Sequence, residues 1–248
     1  MLKSLIFDMG GTLEDVYHTP ELNEICGKKL LAYLSRHGIH LDLGPVELVN
    51  HIEAQNKIYH EESGIKEIYP YERWTGHYFK GMDIDRDRVC IIADNLANIW
   101  ERNYYARSLR SDAVEMLKQV KDLGITMGVI SNTGCLIQVV EILHEYNIRH
   151  FFDCIYLSSV SCFRKPHGGI FVAAAHDLGA QPNECIYVGD TISKDVLGAK
   201  AAGFLASIRI NSGLTKESDR ELGQENIEAD YLVKNLIEVP NIVKKLKA

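Results

Sequence analysis

Short runs of β-branched and aromatic residues alternate with helical patterns along most of the chain, and this alternation restricts the possible folds more than any other feature. The runs are LIF (5–7), ITMGVI (125–130), CIYL (154–157), CIYV (185–188) and FLASIRI (204–210). Segments with helical periodicity, such as DAVEMLKQVKDLG (112–124), separate most of them. A succession of strand, helix and strand predicts an α/β fold built on a parallel sheet.

The stretch from about residue 16 to residue 105 contains no convincing strand. It offers four helical patterns, the first with Thr19 as its predicted N-cap and Pro20 at the first helical position. Roughly 90 residues of helix between the first and second strands exceed an ordinary crossover connection. The sequence therefore predicts a core domain from residues 1–15 and 106–248 and an inserted all-helical domain at 16–105.

Composition limits the class of partner. A net charge of −7 argues against nucleic acid, because binding to the phosphate backbone requires clustered Lys and Arg. Six cysteines without a C-x-x-C pair suggest neither a zinc site nor disulfides, and no segment has the length and hydropathy of a secretory leader or a membrane span. We expect a cytoplasmic protein that acts on a small molecule, of an oligomeric state that the sequence does not reveal.

Polar side chains follow the predicted strands at the point where each strand ends. Asp8 follows the first strand, Ser131 ends the second, Asp190 follows the fourth, and Lys165 lies in the loop after the third. Ligands of open parallel sheets bind beyond these carboxyl ends. Asp8 and Asp190, with Asp195 nearby, offer the oxygen ligands that Mg²⁺ prefers, while the hydroxyl and the ammonium suit an anion. Each residue alone is more often a turn or capping residue, but together they predict a phosphoryl site.

Four segments resemble the four motifs of the haloacid dehalogenase superfamily of hydrolases. They are FDMGGTLED (7–15), VISNT (129–133), RKPHGGIF (164–171) and YVGDTISKDVLGAKAAG (187–203). The helical insert resembles the C1-type cap of that family. The resemblance implies a Rossmann-like parallel sheet core, a helical cap domain, a Mg²⁺ cofactor and a small phosphorylated substrate.

The resemblance also implies a role for each matched residue. Asp8 would be the nucleophile that accepts the phosphoryl group as an aspartyl-phosphate. Ser131 and Asn132 would bind phosphoryl oxygens, and Lys165 would offset the negative charge of nucleophile and phosphate. The implied Mg²⁺ ligands are Asp8, the backbone carbonyl of Gly10, Asp190 and Asp195.

Gly10 departs from the family pattern, in which phosphatases usually carry a second aspartate that protonates the leaving oxygen and then activates water. Loss of a positioned general acid and base typically costs about 10² to 10⁴ in rate. One interpretation is a phosphatase that acts on good leaving groups such as acyl phosphates or uses a substitute residue. Glu14, Asp15 and His18 lie close in sequence, although for each a solvated hinge residue is the commoner reading.

Two other interpretations remain open. Enzymes resembling phosphonoacetaldehyde hydrolase also lack the second aspartate and use a cap lysine to form a Schiff base; Lys57 is the nearest candidate here, at a spacing that fits poorly. The chain could also be a binding protein for metal and phosphate that has lost turnover. Dehalogenation is disfavoured, because it needs no divalent cation and GDTISKD keeps the acids that would hold one.

Overall fold

A parallel six-stranded sheet forms the centre of the structure. The structure is a computed structural model and describes residues 1–212, 219 and 227–247. The strands of the described residues are β1 Ser4–Phe7, β2 Glu14–Tyr17, β3 Ala106–Leu109, β4 Thr126–Ser131, β5 Cys154–Leu157, β6 Cys185–Gly189, β7 Ala206–Ile210 and β8 Tyr231–Val233. The sheet order is β5-β4-β1-β6-β7-β8, with every pair parallel. The predicted strands are confirmed, and the strand order reverses at β1, where ligands of such sheets bind.

Helices cover both faces of this sheet. Counting those of the insert, α1 to α4, the α-helices of the described residues are α1 Pro20–Arg36, α2 Pro45–Ser63, α3 Pro70–Arg73, α4 Arg86–Asn103, α5 Ala113–Asp122, α6 Gln138–Glu145, α7 Ser158–Ser161, α8 Gly168–Asp177, α9 Leu197–Ala201 and α10 Val239–Lys247. All four residues of β1 are buried, with Leu5 and Phe7 in one core cluster and Ile6 in another. Burial on both faces explains why the strands are continuous apolar runs, as expected of an α/β Rossmann-like fold.

The inserted helices have a hydrophobic cluster of their own. It includes Leu30 of α1, Ile52 of α2, Leu96 of α4 and Trp74 of the π-helical turn Trp74–Tyr78. Cys135, which follows β4, belongs to the same cluster, so the helical insert packs against the turn after that strand. Within the described part of the chain, no helix combines the length and the hydropathy needed to cross a bilayer.

An antiparallel pair of strands, β2 and β3, joins the helical insert to the sheet. The sequence analysis did not predict it, because EDVY and ARSL are short and mostly polar. The predicted limits of the insert, residues 16 and 105, fall inside β2 and directly before β3. Both passages between the sheet and the helices therefore run through this pair.

Candidate active site

The carboxyl ends of the neighbouring strands β1 and β6 bring the predicted acidic residues together. Asp8 directly follows β1, and its backbone N–H donates to the carbonyl of Val188 in β6 at 2.9 Å. Asp190 directly follows β6, and Asp195 lies in the π-helical turn Ile192–Val196. Each of the three carboxylates has an oxygen within 4.8 Å of the others, and all three are buried. Convergence of these residues at the point where the strand order reverses is as the sequence analysis expects.

Lys165 lies among these carboxylates. Its Nζ donates to Asp8 Oδ1 at 2.6 Å, to Asp195 Oδ1 at 2.7 Å and to the hydroxyl of Tyr187 at 3.0 Å. The side chain is only 2% exposed. Burial alone would lower the pKa of Lys165, but the two carboxylates raise it above its ordinary value, so the group stays a cation.

Asn132 fixes the backbone at Lys165. Its Nδ2 donates to the carbonyl of Lys165 at 3.2 Å, and its Oδ1 accepts from the N–H of Lys165 at 2.8 Å. These bonds join the turn after β4 to the loop that carries the lysine. The side chain that the resemblance assigned to the substrate therefore contacts Lys165, which it helps to position.

Thr191 and Lys165 hold the carboxylate of Asp195. The backbone N–H and Oγ1 of Thr191 donate to Asp195 Oδ2 at 3.0 and 2.6 Å, while Lys165 donates to Oδ1. Burial by itself would raise the pKa of Asp195, but Lys165 and Thr191 together hold it below the ordinary value. Asp195 is therefore ionised and fixed in orientation.

Two glycines give the carboxylates room. A Cβ on Gly189 would lie 2.4 Å from the Asp195 side chain, and a Cβ on Gly11 would lie 2.2 Å from Asp190 Oδ2. Gly11 also has φ of +87°, which strains any residue with a side chain. The glycines of the motifs YVGD and MGGT thus allow the close approach of chain and carboxylate that the cluster needs.

The charges of the cluster fit a divalent cation. Burial raises the pKa of Asp8 to about 6. Burial, followed by the charges of Asp8 and Asp195, raises the pKa of Asp190 to about 7. Within the described residues, three buried carboxylates thus lie close together, and Lys165 pairs with two of them, Asp8 and Asp195. Oxygen ligands with excess negative charge are the chemistry that Mg²⁺ prefers.

Several residues of the site escaped the sequence analysis. Thr12 donates to Asp8 Oδ2 at 3.4 Å, Ser212 donates to Asp190 Oδ2, and Tyr187 contacts the lysine. Thr12 and Tyr187 lie inside the quoted motifs, where a polar atom in a buried strand or turn is a usable signal. Ser212 lies 22 residues beyond Asp190 and has no such signal.

Gly10 faces a guanidinium. A Cβ on Gly10 would lie 3.4 Å from Arg107 Nη1 and 3.5 Å from Val16 Cγ2. Arg107 lies in β3 and donates from Nη1 to Glu14 Oε2 at 3.1 Å. Glu14 also accepts from the hydroxyl of Tyr146 at 2.9 Å and is fully buried. The expectation of a solvated residue is therefore wrong for Glu14, because the arginine and the tyrosine satisfy its carboxylate.

The other candidate substitutes lie at the surface. Asp15 is exposed and pairs with Arg110 at 3.3 Å, and His18 is exposed and shares a hydrogen bond of 2.6 Å with Asn23. Lys57, the candidate for a Schiff base, is exposed on α2. These residues have the solvated character that their positions in connecting or helical segments predict.

Comparisons with known proteins give a matching family model, relatives in sequence and structures of similar fold. The family model described as haloacid dehalogenase-like hydrolase matches residues 2–203. The chain is 26% identical over 246 residues to a glyceraldehyde 3-phosphate phosphatase of Methanopyrus kandleri, with 99% of both proteins covered. A HAD phosphatase structure from Thermococcus onnurineus has a TM-score of 0.62 at 24% identity and covers 98% of each chain. A 2-haloacid dehalogenase structure from Pseudomonas syringae pv. Tomato has a TM-score of 0.69 at 19% identity and covers 99% of this chain and 100% of its own. These two structures are similar in fold.

Proposed function

The chain belongs to the haloacid dehalogenase-like hydrolases, and on that basis we propose that it is a Mg²⁺-dependent phosphatase acting on a small phosphorylated metabolite. One arrangement carries the proposal: Lys165 joins Asp8 to Asp195 at the ends of strands, with Asp190 beside them. A buried nucleophile next to a fixed cation and a set of oxygen ligands suits phosphoryl transfer, which depends on positioning and charge neutralisation.

Asp8 is the proposed nucleophile. Lys165 holds its Oδ1 at 2.6 Å and Thr12 donates to its Oδ2 at 3.4 Å, so both oxygens of the carboxylate are oriented. In the first step a bond from an Asp8 oxygen to phosphorus forms while the bond from phosphorus to the leaving oxygen breaks. Water then attacks the aspartyl-phosphate, which releases phosphate and restores the carboxylate.

Asp8, Asp190, Asp195 and the backbone carbonyl of Gly10 are the residues that would hold Mg²⁺. The bound ion would neutralise the negative charge that carboxylates and phosphate bring together. Ser131, at the end of β4 next to β1, is the proposed hydroxyl donor to phosphoryl oxygens.

The relatives suggest which substrates to test first. Methanopyrus kandleri and Methanocaldococcus jannaschii relatives are both named glyceraldehyde 3-phosphate phosphatase, each about as similar to this chain as the other. A triose phosphate is an alkyl ester with a poor leaving group, whereas Gly10 favours acyl and aryl phosphates, whose leaving oxygen needs little protonation. Both classes belong in one screen.

The test measures phosphate release from acyl, aryl and alkyl phosphates, glyceraldehyde 3-phosphate and phosphonoacetaldehyde, in Mg²⁺ and in EDTA. We expect release that requires Mg²⁺ and is lost in Asp8→Asn. Asp15→Asn, which changes an exposed carboxylate close in sequence, is the matched control and should keep full activity. Binding of Mg²⁺ and a phosphate analogue without release from any compound would instead indicate a binding protein. Borohydride trapping of an adduct with phosphonoacetaldehyde would indicate carbon–phosphorus cleavage.

A further inference from the structure

The space beside Gly10 is bordered by a positively charged group. A side chain at this position would meet Arg107 Nη1, which lies 3.4 Å from the position of a Cβ. The backbone of Gly10 carries no positive φ, so conformation alone does not require a glycine there. The region that a second carboxylate would occupy is therefore directly next to a guanidinium.

Two glutamates fix that guanidinium. Arg107 Nη1 donates to Glu14 Oε2 at 3.1 Å, Nη2 donates to Glu101 Oε2 at 3.3 Å, and Nε donates to the carbonyl of Glu101 at 3.2 Å. The side chains of Arg107 and Glu101 are only 14% and 16% exposed. Arg107 is thus a rigid and largely desolvated cation, whose position is determined by β2, β3 and α4.

Glu101 connects this cation to the turn after β4. Glu101 Oε1 accepts from the backbone N–H of Gly134 at 3.2 Å, three residues after Ser131. Arg107 therefore lies against the turn after β1, and its partner Glu101 contacts the turn after β4. Those are the two turns that border the proposed phosphoryl site.

A guanidinium has five N–H groups, and the hydrogen bonds above use three of them. The geometry points to Arg107 as the catalytic residue that donates to the leaving oxygen of the substrate. This inference rests on the proposed phosphatase function. When the bond from phosphorus to the leaving oxygen breaks, that oxygen keeps the electron pair and departs as an anion that Arg107 stabilises; it takes its proton from water afterwards. The substrate class is then a phosphate ester or anhydride of an acidic hydroxyl group, such as a phenol, an enol or a carboxylic acid.

The test measures kcat/KM for a series of substituted phenyl phosphates whose phenols differ in acidity. The quantity compared between variants is the slope of log(kcat/KM) against the pKa of the leaving phenol. Loss of a positioned donor to a developing oxyanion typically costs about 10² to 10³ in rate. Arg107→Gln should therefore lose about 10²-fold on the least acidic phenol and only a few-fold on the most acidic one. Arg107→Lys keeps the charge and should recover part of the loss.

Arg102→Gln is the matched control. Arg102 forms comparable ion pairs with Glu141 and Glu145 but has no contact with Gly10, so its removal should leave the slope unchanged. An equal loss on every phenyl phosphate in Arg107→Gln would overturn the inference, since a purely structural role affects all substrates alike.

If Arg107→Gln does not fold, the variant Gly10→Asn tests the inference instead. Its side-chain amide would fill the space beside residue 10 and accept a hydrogen bond from the Arg107 guanidinium. A steeper slope in Gly10→Asn is the expected result, and an unchanged slope overturns the inference. Failure of the proposed function looks different: wild-type protein would then release no phosphate from any compound in a manner that depends on Mg²⁺ and Asp8, and the inference would fall with it.

Discussion

Without the proposed Mg²⁺ ion, the stability of this protein should depend on pH in an unusual direction. The pKa of Asp8 rises from 3.8 to about 6 and that of Asp190 from 3.8 to about 7, mainly through burial. Between those values the folded protein binds more protons than the unfolded chain. The stability that these two groups contribute is therefore present at pH 4 and is lost as the pH rises to 8.

The size of the loss follows from the shifts. One pKa unit corresponds to 1.36 kcal/mol, so Asp8 alone would contribute about 3 kcal/mol and Asp190 alone about 4 kcal/mol. The two carboxylates interact and titrate as a pair, so we expect a total of about 3–5 kcal/mol rather than the sum. Lys165 and Asp195 do not titrate between pH 4 and pH 8. The pKa of Lys165 is raised further above this range, and the pKa of Asp195 is lowered further below it.

The pH dependence of stability also contains a contribution from His60, which has to be separated from that of the carboxylates. Partial desolvation by its neighbours and the charge of Arg164 lower the pKa of His60, which keeps exposed surface, so this group stabilises the fold as the pH rises to about 6.5. Its contribution opposes that of the carboxylates but is the same with and without Mg²⁺. The quantity to measure is therefore the difference in unfolding free energy between Mg²⁺ and EDTA, from urea titrations followed by circular dichroism at pH 5 and pH 8.

We expect this difference to be larger at pH 8 than at pH 5 by about 3–5 kcal/mol, because the ion binds ionised carboxylates and removes their mutual repulsion. For a chain of this size that corresponds to a change of about 10 °C in Tm. Asp190→Asn removes one shifted group and should reduce the pH dependence. A difference that is independent of pH, or equal in Asp190→Asn and wild type, would refute the electrostatic account of the cluster.

Three further predictions concern single residues. Asp8→Asn should fold normally by circular dichroism and lose on the order of 10³-fold or more in phosphate release, because the nucleophile is gone. Gly10→Ala should change the unfolding free energy in urea by no more than about 1 kcal/mol, whereas Gly11→Ala, with φ of +87° and a clash with a site carboxylate, should cost more than about 2 kcal/mol. Equal costs at the two glycines would contradict the geometry. Glu67→Ala should destabilise by about 3–5 kcal/mol, because it leaves the buried guanidinium of Arg73 without its carboxylate; Arg73→Met in the same chain should restore part of the loss.

The sequence by itself determined the sheet and the residues at its rim. Strands buried on both faces must be apolar runs, so β1, β4, β5, β6 and β7 were visible as short hydrophobic segments between helices. In a parallel sheet, the residue after each strand lies at one edge. The order of Asp8, Lys165 and Asp190 along the chain was therefore enough to predict that these three lie together, and it places Ser131 at the same edge.

Only the tertiary structure determined which side chains surround the carboxyl ends of these strands. Glu14 reads as a solvated hinge residue, and its burial depends on Arg107 and Tyr146, which are 93 and 132 residues away. The position of the Arg107 guanidinium beside Gly10 and that of the Asn132 side chain on Lys165 likewise depend on how separate segments pack. A local pattern records whether each segment is buried and where it turns. The distance between two distant side chains is fixed only when helices, strands and turns pack against one another, and at this site those distances determine the chemistry.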